Sequence, residues 1–254
     1  MAQTEHSLWL HDKFFLKTLA SQQAGLGIVG IDEAGRGALA GPVHAAAFWL
    51  SSKTYQTGDL DMRLKLIADS KTMRAVQREV AADNLHALCT DKCCAFAVAS
   101  ASVEEINRLN ILGATRLAMS RAVVQLQAST KLFFKKTGDT DLPIFKADTP
   151  ECDESAGVAL LVDGRPLRPF DWQHRAIVGG DALSLVIAAA SVLAKVTRDR
   201  YMRSLDQFYP QYGFDTHAGY GTRAHRKAIL DYGPSPEHRP LFLRKVLAQK
   251  CIHL

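Results

Sequence analysis

Apolar side chains recur at helical spacing through residues 5–24 and stop at Gly25, which predicts an amphipathic helix. An apolar run over 26–31 then reads as a buried strand and ends in Asp32-Glu33-Ala34-Gly35-Arg36-Gly37. Pro42 opens a second apolar run to position 50, so the two runs suggest adjacent strands. The pattern turns helical over 72–89, extended over 93–99 and helical again over 103–126, with an interruption near 107–113. A short apolar strand over 158–162 ends in Asp163-Gly164; a long helix follows over 182–208 and a shorter one over 223–231. No internal repeat is visible. Strands alternating with helices indicate an α/β fold, whose strand-end loops carry function.

Residues 127–157 break this pattern. They hold KKTGDTD, two prolines and the acidic run PECDE, and core-like patterning resumes directly after them. This predicts a long surface insertion rather than a domain linker. The organisation expected is an N-terminal helical extension over 1–24 and one catalytic domain over 25–254.

With 47% hydrophobic and 22% charged residues, the 254-residue chain has the composition of a globular protein. That excludes a disordered tail, a fibre and a disulfide-stapled miniprotein. The formal charge of +5 mildly favours a polyanionic partner such as nucleic acid or a membrane surface. The apolar stretch 182–194 is too short for the ~20 residues a membrane span needs, so it predicts a buried core helix. The first residues carry acid where an export signal has a basic region, and no apolar segment with a cleavage site follows. The five cysteines, Cys89, Cys93, Cys94, Cys152 and Cys251, read as reduced thiols of a cytoplasmic protein. No second Cys/His pair at zinc-finger spacing accompanies the Cys89, Cys93, Cys94 cluster, so zinc is not expected there.

Two glycine patterns fail as nucleotide sites. Gly25, Gly27 and Gly30 fit G-x-G-x-x-G, but they precede or lie within the strand instead of following it, and no acid stands ~20 residues on. Gly30 and Gly35 have phosphate-loop spacing, but Arg36-Gly37 replaces the lysine and the magnesium-binding hydroxyl.

Four acids sit where acids are structurally inconvenient. Asp32 and Glu33 follow an apolar strand, Asp163 ends another, and Asp181 follows Gly179-Gly180 at the start of the long apolar helix. Singly, each has an ordinary role: Asp163-Gly164 as a turn, Asp181 as a helix N-cap, Asp32-Glu33 as a strand end in water. Jointly, three apolar segments ending in acid point to one crevice at the strand ends. Clustered carboxylates repel and take up protons unless a cation neutralises them. Oxygen-only ligands select a hard cation, Mg²⁺ or Mn²⁺, and two such ions suit hydrolysis at phosphorus. Neighbouring strand residues face opposite ways, so Asp32 and Glu33 reach one ion only if the chain bends, as Gly35 and Gly37 would allow.

The run Gly30-Ile-Asp32-Glu33-Ala-Gly35-Arg36-Gly37-Ala-Leu-Ala-Gly41-Pro42-Val resembles the opening motif of the ribonuclease HII family. Further matches follow in the family's order: Asp69-Ser70-Lys71, INRLNILGATRLAMSRAV (106–123), LVDG (161–164), GDALSLVIAAASVLAKVTRDRYM (180–202), YPQYGFDTHAGYGT (209–222) and His238-Arg239. The resemblance spans roughly 26–243. It implies a ribonuclease H-like fold, with a central mixed β-sheet flanked by helices and further C-terminal helices. It implies a metal-dependent endonuclease acting on the RNA strand of RNA/DNA hybrids and on DNA duplexes containing single ribonucleotides. Cleavage 5′ of the ribonucleotide, leaving 3′-hydroxyl and 5′-phosphate ends, is expected.

By the same resemblance, Asp32, Glu33, Asp163 and Asp181 are the metal-binding catalytic carboxylates. Gly35, Arg36 and Gly37 form the loop whose backbone reads the ribose 2′-hydroxyl, Tyr220 packs on the neighbouring deoxyribose, and Lys71 contacts the phosphate backbone. Glycines let the backbone approach a sugar closely, and the 2′-hydroxyl alone separates RNA from DNA at one site. The ordinary alternatives are a solvated charge for Lys71 and Arg36 and a core aromatic for Tyr220, although Gly219 and Gly221 favour an exposed loop. Three positions depart from the family. Ala38 replaces a usual proline, which should loosen the loop, while Gly179 and Ala218 replace lysines that would contact phosphate. The rival functions are a catalytically silent hybrid-binding protein and a generic nucleic-acid-binding module; neither requires four ordered acids. A monomer is the default expectation.

Overall fold

The computed structural model describes residues 7–19, 27–56, 62–68, 70, 72–89, 93–132, 134–137 and 158–248. Its centre is a five-stranded mixed sheet in the order β3-β2-β1-β4-β5. β1 (Gly27–Ala34) runs antiparallel to β2 (Val43–Ser51), which runs antiparallel to β3 (Cys94–Ala101). On the other side β4 (Val158–Asp163) and β5 (Arg175–Ile177) continue parallel to β1. The architecture is the α/β one expected.

Strand alternation divides the core between two faces. Ile28, Phe48, Leu50 and Leu161 pack with α1 (Ser7–Leu19), α4 (Ala75–Leu88) and α6 (Leu185–Asp206). Val29, Ile31, Ala45 and Val162 pack with α5 (Val103–Thr130). The short helices α2 (Ser52–Gln56) and α3 (Met62–Lys65) link β2 to α4. Gly30 sets the closest approach: a Cβ there would stand 2.2 Å from the Val186 carbonyl carbon, so its absence lets α6 lie directly on β1.

The helix boundaries refine the sequence pattern. α5 opens with a capping box, in which the Ser102 hydroxyl accepts from the Glu105 N–H (3.2 Å) and the Glu105 carboxylate accepts from the Ser102 N–H (2.9 Å). Its expected interruption is a kink at Asn110, which takes φ 58°. α5 continues to Thr130, inside the stretch 127–157; Thr137 then pairs with Asp171, and 138–157 lie outside the described residues. α6 begins at Leu185 with Ser184 as its N-cap. Asp181 therefore does not cap it and sits in the preceding 3₁₀ turn, Gly180–Ala182. α1 is fully docked, since buried Asp12 accepts from the Val186 N–H (3.1 Å) and the Tyr55 hydroxyl (3.2 Å).

Beyond α6 the chain forms α7 (Phe214–His217), α8 (Arg223–Tyr232) and α9 (Pro240–Ala248). Two fully buried arginines join this end to the β1–β2 loop. Arg198 donates to the carbonyls of Pro42 (3.1 Å), Ala40 (3.1 Å) and Ala218 (2.9 Å). Arg239 donates to those of Gly41 (2.8 Å), Gly35 (2.8 Å), Ala38 (2.9 Å) and Arg36 (3.1 Å). Burial pushes Arg239 down to about 9 and Arg198 below the ordinary arginine range. Ala38, where a looser loop is expected, has its carbonyl held by Arg239.

Replacing either guanidinium strands several buried carbonyls. Arg198→Met and Arg239→Met should each cost about 3 kcal/mol or more in urea unfolding; an unchanged midpoint would contradict that. Buried His44, His225 and His238 are each lowered to about 4, chiefly by burial. Unfolded histidine takes up its proton near 6.5, so unfolding binds protons between about 4 and 6.5. The stability these groups confer is complete above about 6.5 and lost as pH falls towards about 4. At about 1.4 kcal/mol per unit and group, the urea midpoint should drop clearly from about pH 7.5 to about pH 5. A flat profile would refute this.

Candidate active site

Strand register brings the first two acids together. Ile31 pairs with Val162 across the parallel β1–β4 ladder, so Asp32, two residues before the end of β1, stands beside Asp163, the last residue of β4. Both follow the alternation of the face that α6 covers. Asp32 is buried, and its own neighbour's amide bonds it: the Glu33 N–H donates to Asp32 Oδ1 at 2.7 Å. Ser191, on α6, offers its hydroxyl to Asp32 and also lies 2.8 Å from the Ser70 hydroxyl. Burial first, then the negative charges of Glu33 and Asp163, hold the Asp32 carboxyl well above the ordinary carboxylate range.

Asp181 joins from the turn before α6. The Gly180 N–H donates to Asp163 Oδ1 at 2.7 Å, which seats buried Asp181 next to the β4 end. Glu33 is placed differently from the sequence expectation. β1 stays regular through Ala34, with Asp32 opposite Ala46 and Glu33 opposite Ala45, so the bend at Gly35 comes after the pair. Glu33 thus leaves β1 with the opposite alternation from Asp32, and its carboxylate pairs with Arg36 at 3.0 Å.

A cavity of about 410 Å³ opens over the strand ends. Asp32, Glu33, Asp163, Gly35, Arg36, Gly37 and Tyr220 line it, with Ser70, Arg78, Ser191 and Lys195. Asp181 is not among the lining residues, and Lys71 is outside the described residues. Gly35 takes φ +96°, and a Cβ there would fall 2.0 Å from Arg198 Nε; a Cβ on Gly37 would meet open space. The structure alters the reason for the glycines beside Tyr220. A Cβ on Gly219 would fall 2.7 Å from the Ala40 carbonyl, so the Gly-Tyr-Gly segment packs on the β1–β2 loop and leaves Tyr220 half-buried. Ala218, at a departure from the family, holds φ 47° with its carbonyl on Arg198.

Sequence reading missed Ser191, Lys195 and Arg198. Their i, i+4, i+7 spacing puts them on one face of α6, and that spacing was the available signal. Lys195 pairs with Asp199 (2.8 Å) and stands 5.2 Å above the Tyr220 ring; the Arg198 guanidinium stands 5.3 Å from it.

The donor chemistry fits a hard divalent cation. Every candidate ligand is a carboxylate oxygen, and the raised Asp32 is relieved when a cation balances its neighbours. With Glu33 held by Arg36, no three His, Cys, Asp or Glu side chains among the described residues are gathered into a ligating cluster.

The family model for ribonuclease HII matches residues 29–136 and 159–247, pausing across most of the stretch 127–157. A ribonuclease HII of Paracidovorax citrulli (strain AAC00-1) is 44% identical over 215 residues, covering 85% of this chain and 73% of its own. One from Paracoccus denitrificans (strain Pd 1222) is 40% identical over 240 residues, covering 93% and 95%. Among solved structures, ribonuclease H2 from Pyrococcus horikoshii OT3 superposes with a TM-score of 0.57 at 21% identity, covering 89% of this chain and 99% of its own. Bst-RNase HIII in complex with Mn²⁺ gives a TM-score of 0.58 at 17% identity, covering 91% and 72%. These two share the fold, and the sequence relatives carry the assignment. The chain belongs to the ribonuclease HII family and is an endonuclease of the ribonuclease H type.

Proposed function

We propose that the protein hydrolyses the RNA strand of RNA/DNA hybrids and nicks duplex DNA 5′ of an embedded ribonucleotide, beginning that ribonucleotide's removal. The observation that carries this is Asp32 beside Asp163 at adjacent strand ends, in one cavity with the backbone of Gly35, Arg36 and Gly37. A silent binder would have no use for a buried carboxylate held among like charges. The products are 3′-hydroxyl and 5′-phosphate ends.

Asp32, Glu33, Asp163 and Asp181 would hold divalent cations, Mg²⁺ or Mn²⁺. When bound, these supply an activated water and the charge that stabilises the leaving oxygen. The protein's own groups orient the substrate. With the loop carbonyls turned to Arg198 and Arg239, the loop is fixed before substrate arrives and presents its backbone to the ribose. Tyr220 supports the next sugar, and Lys71 adds a phosphate contact. Arg36 is half-exposed and can leave Glu33 for a phosphate oxygen, freeing the carboxylate for a cation. Reading by backbone makes cleavage sequence-tolerant. Cytoplasmic residence belongs to the same proposal, supported by Cys89 and Cys94 facing each other as thiols at 2.9 Å. No described helix is long and apolar enough to cross a membrane.

A duplex carrying one ribonucleotide, incubated with Mg²⁺ or Mn²⁺, should be cut once, directly 5′ of it; no nick by folded protein would refute the proposal. Asp32→Asn should lower the rate at least about 10³-fold while duplex binding survives; normal cutting would remove Asp32 from the site. Gly37→Ala should fold normally and cut at least about tenfold more slowly, because its methyl occupies the space the sugar needs. Full activity in that variant would mean the sugar does not approach Gly37.

A further inference from the structure

Behind Tyr220 lies a chain of buried histidines whose proton positions the backbone dictates. The Ser235 N–H donates to His238 Nδ1 at 2.9 Å, and the Ser235 hydroxyl lies 2.8 Å from the same nitrogen; the fixed N–H assigns Nδ1 as the acceptor and places the ring proton on Nε2. His238 Nε2 is 3.1 Å from His225 Nε2, which must then accept. His225 therefore carries its proton on Nδ1, 3.0 Å from the Tyr220 carbonyl. Every donor in the chain points one way, from Ser235 through His238 and His225 to Tyr220. His217 is fixed in the same manner. It accepts from the Gly219 N–H on Nδ1 (3.2 Å) and donates from Nε2 to the Tyr212 carbonyl (2.9 Å), and its ring stacks on His225 at 4.5 Å.

We infer that His225 is a positioning residue for substrate, acting through the Tyr220 backbone, and that His238 serves only to fix which His225 nitrogen carries the proton. His225 and His238 are almost wholly buried and stand behind the cavity, which Tyr220 itself lines, so they act without touching the duplex. The Leu39 N–H also donates to the Gly219 carbonyl at 2.9 Å. The histidine chain thus fixes Tyr220 relative to the loop proposed to read the 2′-hydroxyl. The spacing between those two contacts along the substrate is what the chain sets. This inference rests on Tyr220 being a substrate contact.

The side-chain amides of asparagine and glutamine reach the positions of the two ring nitrogens separately. Asparagine at 225 keeps a donor where Nδ1 was and loses contact with His238; glutamine reaches towards His238 and loses the Tyr220 carbonyl. In steady-state nicking of a single-ribonucleotide duplex, His225→Asn should keep KM within about twofold. His225→Gln should raise KM about tenfold with a smaller change in kcat, and Tyr220→Ala should do likewise. The double variant His225→Gln/Tyr220→Ala should be no worse than Tyr220→Ala alone. Equal KM values for the asparagine and glutamine variants, or additive losses in the double variant, would overturn the inference while leaving Tyr220 in place. Unchanged KM in Tyr220→Ala would instead remove the substrate role of Tyr220, and the inference with it. Long-range ¹H–¹⁵N spectra of the unsubstituted protein give an independent check, needing no variant to fold. His225 should appear as the Nδ1–H tautomer and His238 as Nε2–H; the reverse assignment overturns the chain.

Discussion

Two buried guanidinium groups without a buried acid at their side organise the functional end of this protein. Arg198 and Arg239 donate to main-chain carbonyls, and those carbonyls belong almost entirely to the β1–β2 loop. A buried charge so paired leaves its partners little freedom, since each withdrawn carbonyl strands both a polar group and part of a cation. Arg198 comes from the helix that covers the sheet and Arg239 from the start of the last helix. The loop is therefore clamped between the core and the C-terminal helices. Gly35 belongs to the same constraint, because Arg198 occupies the place of its absent side chain.

The acids are placed by a second constraint, strand register. Parallel pairing of β1 with β4 sets Asp32 beside Asp163, and Gly30 brings α6 close enough for Ser191 to reach Asp32. Asp181 follows from the turn that feeds α6. The fold thus holds repelling carboxylates together with packing and neutral donors, an arrangement that costs stability. Glu33 lines the same cavity and pairs with Arg36, so the fourth carboxylate and the cationic side chain of the loop are coupled.

Much of this was legible in the sequence. Apolar runs ending in acid gave the strands and their ends, and the kink in α5 fell inside the interruption near 107–113. Three features were not legible, each for a physical reason. The start of α6 was blurred because Asp181 and Ser184 are both good caps, and only the backbone decides that Ser184 serves. The regularity of β1 through Glu33 depends on pairing with β2, which local glycine content does not report. The roles of Arg198, Arg239 and His225 depend on contacts across long chain separations; their local sequence reads as ordinary charged helix. Of the motif residues, Asp32, Glu33, Asp163, Gly35, Arg36, Gly37 and Tyr220 line one cavity, Asp181 is not among its lining residues, and Lys71 lies outside the described residues.

The central claim is that ribose, and not base, is recognised, by a loop backbone fixed before the duplex arrives. Initial nicking rates on duplexes that differ in one position test it most directly. Changing the bases flanking a single ribonucleotide should alter the rate by no more than a few-fold, whereas replacing its 2′-hydroxyl with hydrogen or fluorine should abolish cutting there. Rates that follow the flanking bases, or that survive loss of the hydroxyl, would contradict it.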